Sequence, residues 1–178
     1  MRPAELVLSV VGSSPEPVEG RTAIQKIAYF SSLRTNVDLA YRPHYYGPYS
    51  PVVANLLDNL VALGYIEENS RVTAHDRIMY SYSLTRDGRK ILSEFRKREA
   101  SKYASIRNIA YRCQKIAGNS INILSWAAKT YFLLSQKGQE ISYEGLEKAG
   151  KRFGWNIAKD EIASGVKLLK GLGLVGKN

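Results

Sequence analysis

Cysteine and histidine, which often act as nucleophiles, bases or zinc ligands, are scarce in this chain: there is one cysteine, Cys113, and two histidines, His44 and His75. The usual zinc arrangements cannot be assembled from so few ligands. A catalytic thiol needs a local base that the sequence does not display, so a buried core cysteine is the better interpretation. The sequence also contains no glycine-rich phosphate loop, nucleophile elbow or paired carboxylates at a fixed spacing. We therefore expect a binding protein rather than an enzyme, without a metal or cofactor.

Charge divides the chain into two unlike halves. Residues 1–85 contain 7 Lys and Arg against 8 Asp and Glu, whereas residues 86–178 contain 19 against 8, and the net charge of the chain is +10. A basic half of this kind predicts a polyanionic partner, first of all double-stranded DNA. A basic surface that meets only water is the alternative.

Hydrophobic residues make up 44% of the chain, and no apolar run approaches the roughly 20 residues that cross a bilayer. Near the N-terminus, Glu5 interrupts an apolar patch and Pro15 and Pro17 follow it, which indicates a short helix and a loop rather than a signal peptide. We expect a cytoplasmic protein with no membrane partner.

Residues 41–68 carry the clearest structural pattern. Ser50 can cap a helix, Pro51 suits its first position, and Gly64 can adopt the left-handed conformation that ends it. The apolar residues recur at steps of three and four, which predicts one buried face. They are Val53, Leu56, Leu57, Leu60 and Leu63. Asn55, Asp58 and Asn59 are left on the other side.

Two shorter helices are predicted before this stretch, and a β-hairpin after it, with strands near residues 65–68 and 78–84. The motifs Leu63-Gly64-Tyr65-Ile66 and Tyr82-Ser83-Leu84-Thr85, the latter followed by Gly88 and Leu92, make residues 4–92 resemble the winged helix-turn-helix fold of prokaryotic regulators. The resemblance implies that the third helix enters the major groove and that the wing contacts phosphate or the minor groove.

A second resemblance lies in the same region. The run from Ile24 to Phe30, followed by Tyr46-Gly47-Pro48, is similar to the K-L-x-K-L-x-Y-F and Y-G-P signatures of the Panacea domain of antitoxins, with Ala23 in place of the first lysine. It implies a protein that binds and neutralises another protein. A tight turn that enters a capped helix explains the same residues without a partner.

Residues 86–117 contain no proline, and no glycine after Gly88, which predicts a basic helix of roughly 30 residues. Its apolar face could pack against a second copy of the chain in a homodimer, or helices of the same chain could cover that face. Its basic face could bind along a row of phosphates.

The C-terminal part repeats the pattern of the opening stretch. Ser120 and Ser142 can cap helices, and the last helix ends in L-G-L-V, as the earlier one ends in L-G-Y-I. A second helix-turn-helix unit or two helices packed on the long basic helix would both give this pattern. We expect a mainly α fold with a small β-hairpin, divided into a winged helix at 1–85, a long basic helix at 86–118 and a helical unit at 119–178.

Two functions remain open. A DNA-binding transcriptional regulator would use the third helix, the wing and the second helical unit, although Asp58 would repel phosphate. Its candidate contacts are Asn55, Asn59, Arg71, His75, Arg77, Lys148, Lys151, Arg152, Lys159 and Lys167. A winged-helix module that binds another protein would instead use Tyr45, Tyr46 and Tyr49.

Overall fold

The computed structural model describes residues 1–14, 16–118, 120–137 and 142–176. Within these ranges the chain is mainly helical with a small antiparallel sheet, which confirms the predicted fold class. The elements in chain order are α1 (Pro3–Ser13), β1 (Val18–Glu19), α2 (Arg21–Thr35), α3 (Pro51–Ala62), β2 (Ile66–Val72), β3 (Ile78–Leu84), α4 (Arg86–Arg98), α5 (Ala100–Ala117), α6 (Ile121–Lys137), α7 (Tyr143–Lys151) and α8 (Lys159–Leu172).

The sheet has the strand order β1–β3–β2. The hairpin of β2 and β3 runs in register from the pair Ile66 and Leu84 to the pair Val72 and Ile78. β1 is an addition to the predicted hairpin: it is only two residues long, and it pairs with β3 next to the buried Tyr82.

The ends of α3 are as predicted. The Ser50 Oγ accepts a hydrogen bond of 3.0 Å from the Val53 amide, and Gly64 follows the helix with a φ of 71°. Val53, Leu57 and Leu60 are buried. Leu63 was predicted on the same buried face, but its side chain is 66% exposed, because the residue is the C-cap and lies where the chain leaves the helix.

The prediction of one long helix over residues 86–117 is wrong. The backbone leaves the helical conformation at Glu99, where φ is −130° and ψ is 47°, and this separates α4 from α5. The Glu99 carboxylate binds the N-terminal ammonium at 3.2 Å and Lys102 at 3.0 Å. Since α1 packs against both α4 and α5, this ion pair joins the break to the start of α1.

The apolar face of α5 packs inside the same chain. Tyr103, Ile106, Ala110 and Cys113 on this face are buried, and α5 packs against α1, α2 and α8. The face on which the predicted homodimer depended is therefore already covered. Burial also raises the pKa of the Cys113 thiol to about 12, so this cysteine is a protonated core residue, as expected.

One hydrophobic core extends from α1 to α8, and a smaller cluster around Trp155 joins α6, α7 and α8. The three predicted segments therefore pack as one body in the described residues. Gly165 allows α8 to cross α6 closely, because a Cβ atom there would lie 2.9 Å from the Ala127 nitrogen.

α2 holds the turn at residues 42–49, which we call the tyrosine turn. The Gln25 side chain donates to the Ser50 carbonyl at 2.9 Å and accepts from the Ser50 amide at 3.0 Å. The Lys26 ammonium donates to the Pro48 carbonyl at 2.8 Å. From the C-terminal half, the Trp155 indole N–H donates to the His44 carbonyl at 2.7 Å. Both halves of the chain thus fix the position from which α3 starts.

Candidate nucleic-acid interface

α8 presents a row of lysines to solvent. Lys159, Ala163, Lys167 and Lys170 are exposed, and their spacing of four, four and three residues places them on one face of the helix. The opposite face is buried and consists of Ile162, Gly165, Leu168, Leu169 and Leu172. α8 therefore packs through its apolar face and exposes a basic face to solvent.

α7 also carries exposed basic residues. The Ser142 hydroxyl caps α7 by accepting from the Gly145 amide at 3.1 Å, and Leu146 and Ala149 are buried. The three basic residues at its C-terminal end, Lys148, Lys151 and Arg152, are exposed. Because α7 packs against α6 and α8, both sets of basic side chains belong to one helical unit, which we call the α7–α8 pair.

The cations of the α7–α8 pair are not neutralised by ion pairs. Within the described residues, none of the nine salt bridges includes a basic residue of this pair. Asp160 is also exposed near the start of α8, and the Glu161 carboxylate accepts from the Ala158 amide at 2.9 Å. The side chains that could meet phosphates without breaking an ion pair are Lys148, Lys151, Arg152, Lys159, Lys167 and Lys170.

α3 offers a different surface. Asn55, Asp58 and Asn59 are exposed, as predicted, but Asp58 is bound to Arg21 at 2.7 Å. The same guanidinium binds Glu68 at 3.0 Å and donates to the Tyr82 hydroxyl at 2.9 Å. One cation is thus shared by two carboxylates, and the surface beside α3 keeps an excess of negative charge.

This cluster also shifts the pKa of its members. The hydrogen bond from the Tyr82 hydroxyl, together with Arg21, lowers the pKa of Glu68 below its usual value. Burial and the neighbouring Glu68 raise the pKa of Tyr82 above that of a free tyrosine. The carboxylate therefore stays ionised and the phenol stays protonated at neutral pH. A phosphate that approached α3 would meet this fixed negative charge.

The hairpin of β2 and β3, which is the predicted wing, carries one arginine in an ion pair, and a histidine and a second arginine at its tip. Arg71 binds Glu19 at 2.6 Å, whereas His75 and Arg77 lie in the exposed turn between β2 and β3. That turn is closed by a hydrogen bond of 2.9 Å from the Thr73 amide to the Arg77 carbonyl. Of the three wing residues proposed for nucleic acid, only His75 and Arg77 have no acidic partner among the described residues.

The tyrosine turn exposes two aromatic rings. The side chains of Tyr45 and Tyr46 are 73% and 56% exposed, and their rings meet edge to face with centroids 4.8 Å apart. Tyr49 is partly buried, with its ring 5.0 Å from that of His44. The three candidate protein-binding tyrosines therefore lie in one turn, but only Tyr45 and Tyr46 are more than half exposed.

The basic residues of α4 and α5 form ion pairs more often than those of the α7–α8 pair. Lys90, Lys97, Arg98 and Lys102 each bind a carboxylate. The Arg96 guanidinium instead lies over the Tyr103 ring, 5.7 Å from its centroid. A continuous basic ridge is therefore interrupted by local ion pairs.

The predicted nucleic-acid residues fall on two parts of the chain. The α7–α8 pair carries Lys148, Lys151, Arg152, Lys159 and Lys167. Residues 1–85, which we call the N-terminal unit, carry Asn55, Asn59, Arg71, His75 and Arg77. Sequence reasoning missed Arg21, which determines the charge of the α3 surface. Its partners Asp58 and Glu68 are remote in sequence, and no local spacing rule connects them.

The chain matches no protein-family model and no curated protein sequence. None of the helices described here is long and apolar enough to span a membrane. Function must therefore be inferred from the chemistry of these surfaces.

Proposed function

We propose that the protein binds double-stranded DNA as a transcriptional regulator and that the α7–α8 pair makes the principal contacts. The observation that carries this proposal is the row of exposed lysines on α8, none of which forms an ion pair with a described carboxylate. Phosphates bind such side chains with release of counterions, which favours association.

In this arrangement α8 is the helix that enters the major groove. Lys159, Lys167 and Lys170 reach phosphates at the groove edges, and the small Ala163 between them permits close approach. Lys148, Lys151 and Arg152 at the end of α7 contact the flanking backbone. These contacts position the protein, since phosphate contacts carry no sequence information by themselves.

The N-terminal unit has a supporting role in this proposal. The order α1, β1, α2, α3, β2, β3 and the strand order β1–β3–β2 support the resemblance to winged-helix regulators. The acidic surroundings of α3 oppose its entry into the groove. We infer that His75 and Arg77 at the wing tip add phosphate contacts while α3 stays outside.

The test measures affinity for a random duplex as a function of salt concentration. Replacement of Lys159 and Lys167 by Ala should reduce the slope of log K against log salt by about 2, since each neutralised phosphate contributes about 0.9. The matched control replaces Lys90 and Lys97 by Ala. It changes the net charge equally but removes lysines that are already paired with Asp87 and Glu94.

Three outcomes are informative. A flatter slope for the α8 variant alone supports the assignment. Equal loss in both variants means that net charge, and not the α7–α8 pair, drives binding. Failure of the wild-type protein to retain any duplex at low salt overturns the proposal.

Binding of another protein is the second candidate, and the exposed pair Tyr45 and Tyr46 favours it. Two adjacent aromatic rings at more than half exposure are a common anchor in protein interfaces. This candidate also agrees with the resemblance to antitoxin domains. Replacement of both tyrosines by Ser should abolish capture of a specific protein partner while thermal stability stays unchanged. Tyr111→Ser, at a tyrosine that is 53% exposed elsewhere, is the control.

A further inference from the structure

A cavity of about 140 Å³ lies between α2, the tyrosine turn and α3. An apolar protein cavity of roughly 150 Å³ holds a benzene molecule, so this space suits a small organic compound. Neither the DNA contacts proposed above nor the packing of the core requires such a space. It lies in the N-terminal unit, next to the acidic surface of α3.

Lys26 is the exceptional residue in the wall of this cavity. Its side chain is 2% exposed, and its ammonium has one hydrogen-bond partner among the described residues, the Pro48 carbonyl. An ammonium has three N–H donors, and a neutral carbonyl cannot balance its charge. Burial, with a smaller contribution from the nearby Lys129, lowers the pKa of Lys26 to about 7.

The rest of the wall supplies further donors and one apolar side. His44, Tyr46 and Tyr49 lie around the cavity and can donate hydrogen bonds, and among the described residues no Asp or Glu lines the wall. Val53 and Leu57 from α3 provide the apolar side. An anion would therefore find donors without a competing carboxylate in contact with it.

The two ends of the cavity differ in charge. Arg21 lies at one end and forms an ion pair with Asp58, the residue after Leu57. Lys26 lies five residues further along α2, beside Pro48, and forms no salt bridge with the described carboxylates. A negative group should therefore lie at the Lys26 end.

We propose that this cavity binds a small organic carboxylate whose apolar body is about the size of a benzene ring. The carboxylate accepts hydrogen bonds from Lys26 and from the side chains of the tyrosine turn, and the apolar body packs against Val53 and Leu57. Binding would join α2 to the turn that caps α3. This proposal does not depend on DNA binding, since the cavity and the α7–α8 pair share no residue.

The test titrates the ¹⁵N-labelled full chain with benzoate and with benzamide, which has nearly the same shape but no charge. Benzoate should shift the backbone amides around Lys26 and Val53 in a saturable manner and should bind at least about tenfold more tightly than benzamide, because a charge-assisted hydrogen bond is stronger than a neutral one. Lys26→Met should reduce the benzoate affinity to that of benzamide. Lys90→Met, at an exposed lysine on α4 outside the cavity, is the control and should leave both affinities unchanged.

A second variant keeps the proposal testable if Lys26→Met fails to fold. Ala54 also lines the cavity, so Ala54→Leu should fill part of the space and abolish both interactions while Lys26 is retained. Equal affinity of the wild-type protein for benzoate and benzamide would overturn the assignment of an anionic ligand. Shifts that do not saturate, or that persist in Ala54→Leu, would overturn the site itself.

Discussion

α3 and α8 end in the same way, yet their charged residues form different contacts. Each is followed by a glycine in the left-handed conformation, Gly64 with a φ of 71° and Gly173 with a φ of 65°. Beside α3, Arg21 is bound to Asp58 and Glu68, whereas the lysines of α8 have no acidic partner among the described residues. The comparison shows that a shared helical pattern does not determine what a helix can bind, because the partners of its charges lie elsewhere in the chain.

Hydrogen bonds from other helices also fix the position of α8. The C-terminal end of α8 is bound by two arginines from other helices: Arg34 donates to the Leu172 carbonyl at 3.1 Å and Arg112 to the Gly171 carbonyl at 2.6 Å. Cations at a helix C-terminus complement its dipole. α2 and α5 therefore anchor the C-terminal end of α8 through contacts that do not use its lysines.

The largest effect on stability is expected when the close crossing of α8 over α6 is disturbed. In Gly165→Ala the new Cβ atom would lie about 2.9 to 3.0 Å from backbone atoms of Trp126 and Ala127, and the backbone cannot yield as a side chain can. We expect a loss of about 2 to 3 kcal/mol in the free energy of unfolding, measured by urea denaturation.

Gly171→Ala is the matched control for that variant. Its Cβ atom would meet the end of the flexible Ile116 side chain, and alanine favours the helix by about 1 kcal/mol over glycine. The net change should therefore be small. Equal destabilisation of the two variants would show that the close crossing of α6 and α8 is not what requires glycine at position 165.

The second prediction concerns Lys26, a charge enclosed in the N-terminal unit. Its pKa is about 7 in the folded chain and 10.5 in the unfolded chain, so between these values the unfolded chain binds more protons. Stability should therefore rise as the pH rises above 7, by about 1.4 kcal/mol per unit at most, or roughly 2 to 3 kcal/mol between pH 7 and 9. Urea denaturation at the two pH values measures this rise.

Lys26→Met should lack most of this rise, because methionine does not titrate. Lys129, whose pKa burial also lowers, acts in the same direction and remains in both proteins. The comparison should stay below pH 10, where the raised pKa of Tyr29 and Tyr41 makes the folded state lose stability as free tyrosines ionise. The same rise in wild type and variant would mean that Lys26 is not responsible.

Local signals predicted the N-caps of α3 and α7 correctly, and long-range ion pairs explain the break at Glu99 and the charge of the α3 surface, which those signals missed. The hydroxyls of Ser50 and Ser142 each accept a hydrogen bond from the amide three residues later, so a short motif was sufficient to place these ends. The break at Glu99 involves the N-terminal ammonium 98 residues away, and the charge of the α3 surface depends on a contact between Arg21 and Glu68, 47 residues apart. The row of basic residues on the α7–α8 pair was visible in the sequence, but only the structure shows that these residues lack acidic partners within the described ranges.

The smallest expected effect compares a charged side chain that forms ion pairs with one that has no acidic partner among the described residues. Arg21→Gln removes the guanidinium between Asp58 and Glu68, and since these groups are partly exposed we expect a loss of about 1 kcal/mol at low salt. Lys167→Gln removes a lysine that has no acidic partner among the described residues, so the free energy of unfolding should change by less than about 0.5 kcal/mol. Added salt should reduce the effect of Arg21→Gln, because it screens both the ion pairs and the repulsion between the two carboxylates that remain. If both variants lose the same stability at every salt concentration, the charges beside α3 contribute no more to the fold than those on α8, and the contrast between the two helices fails.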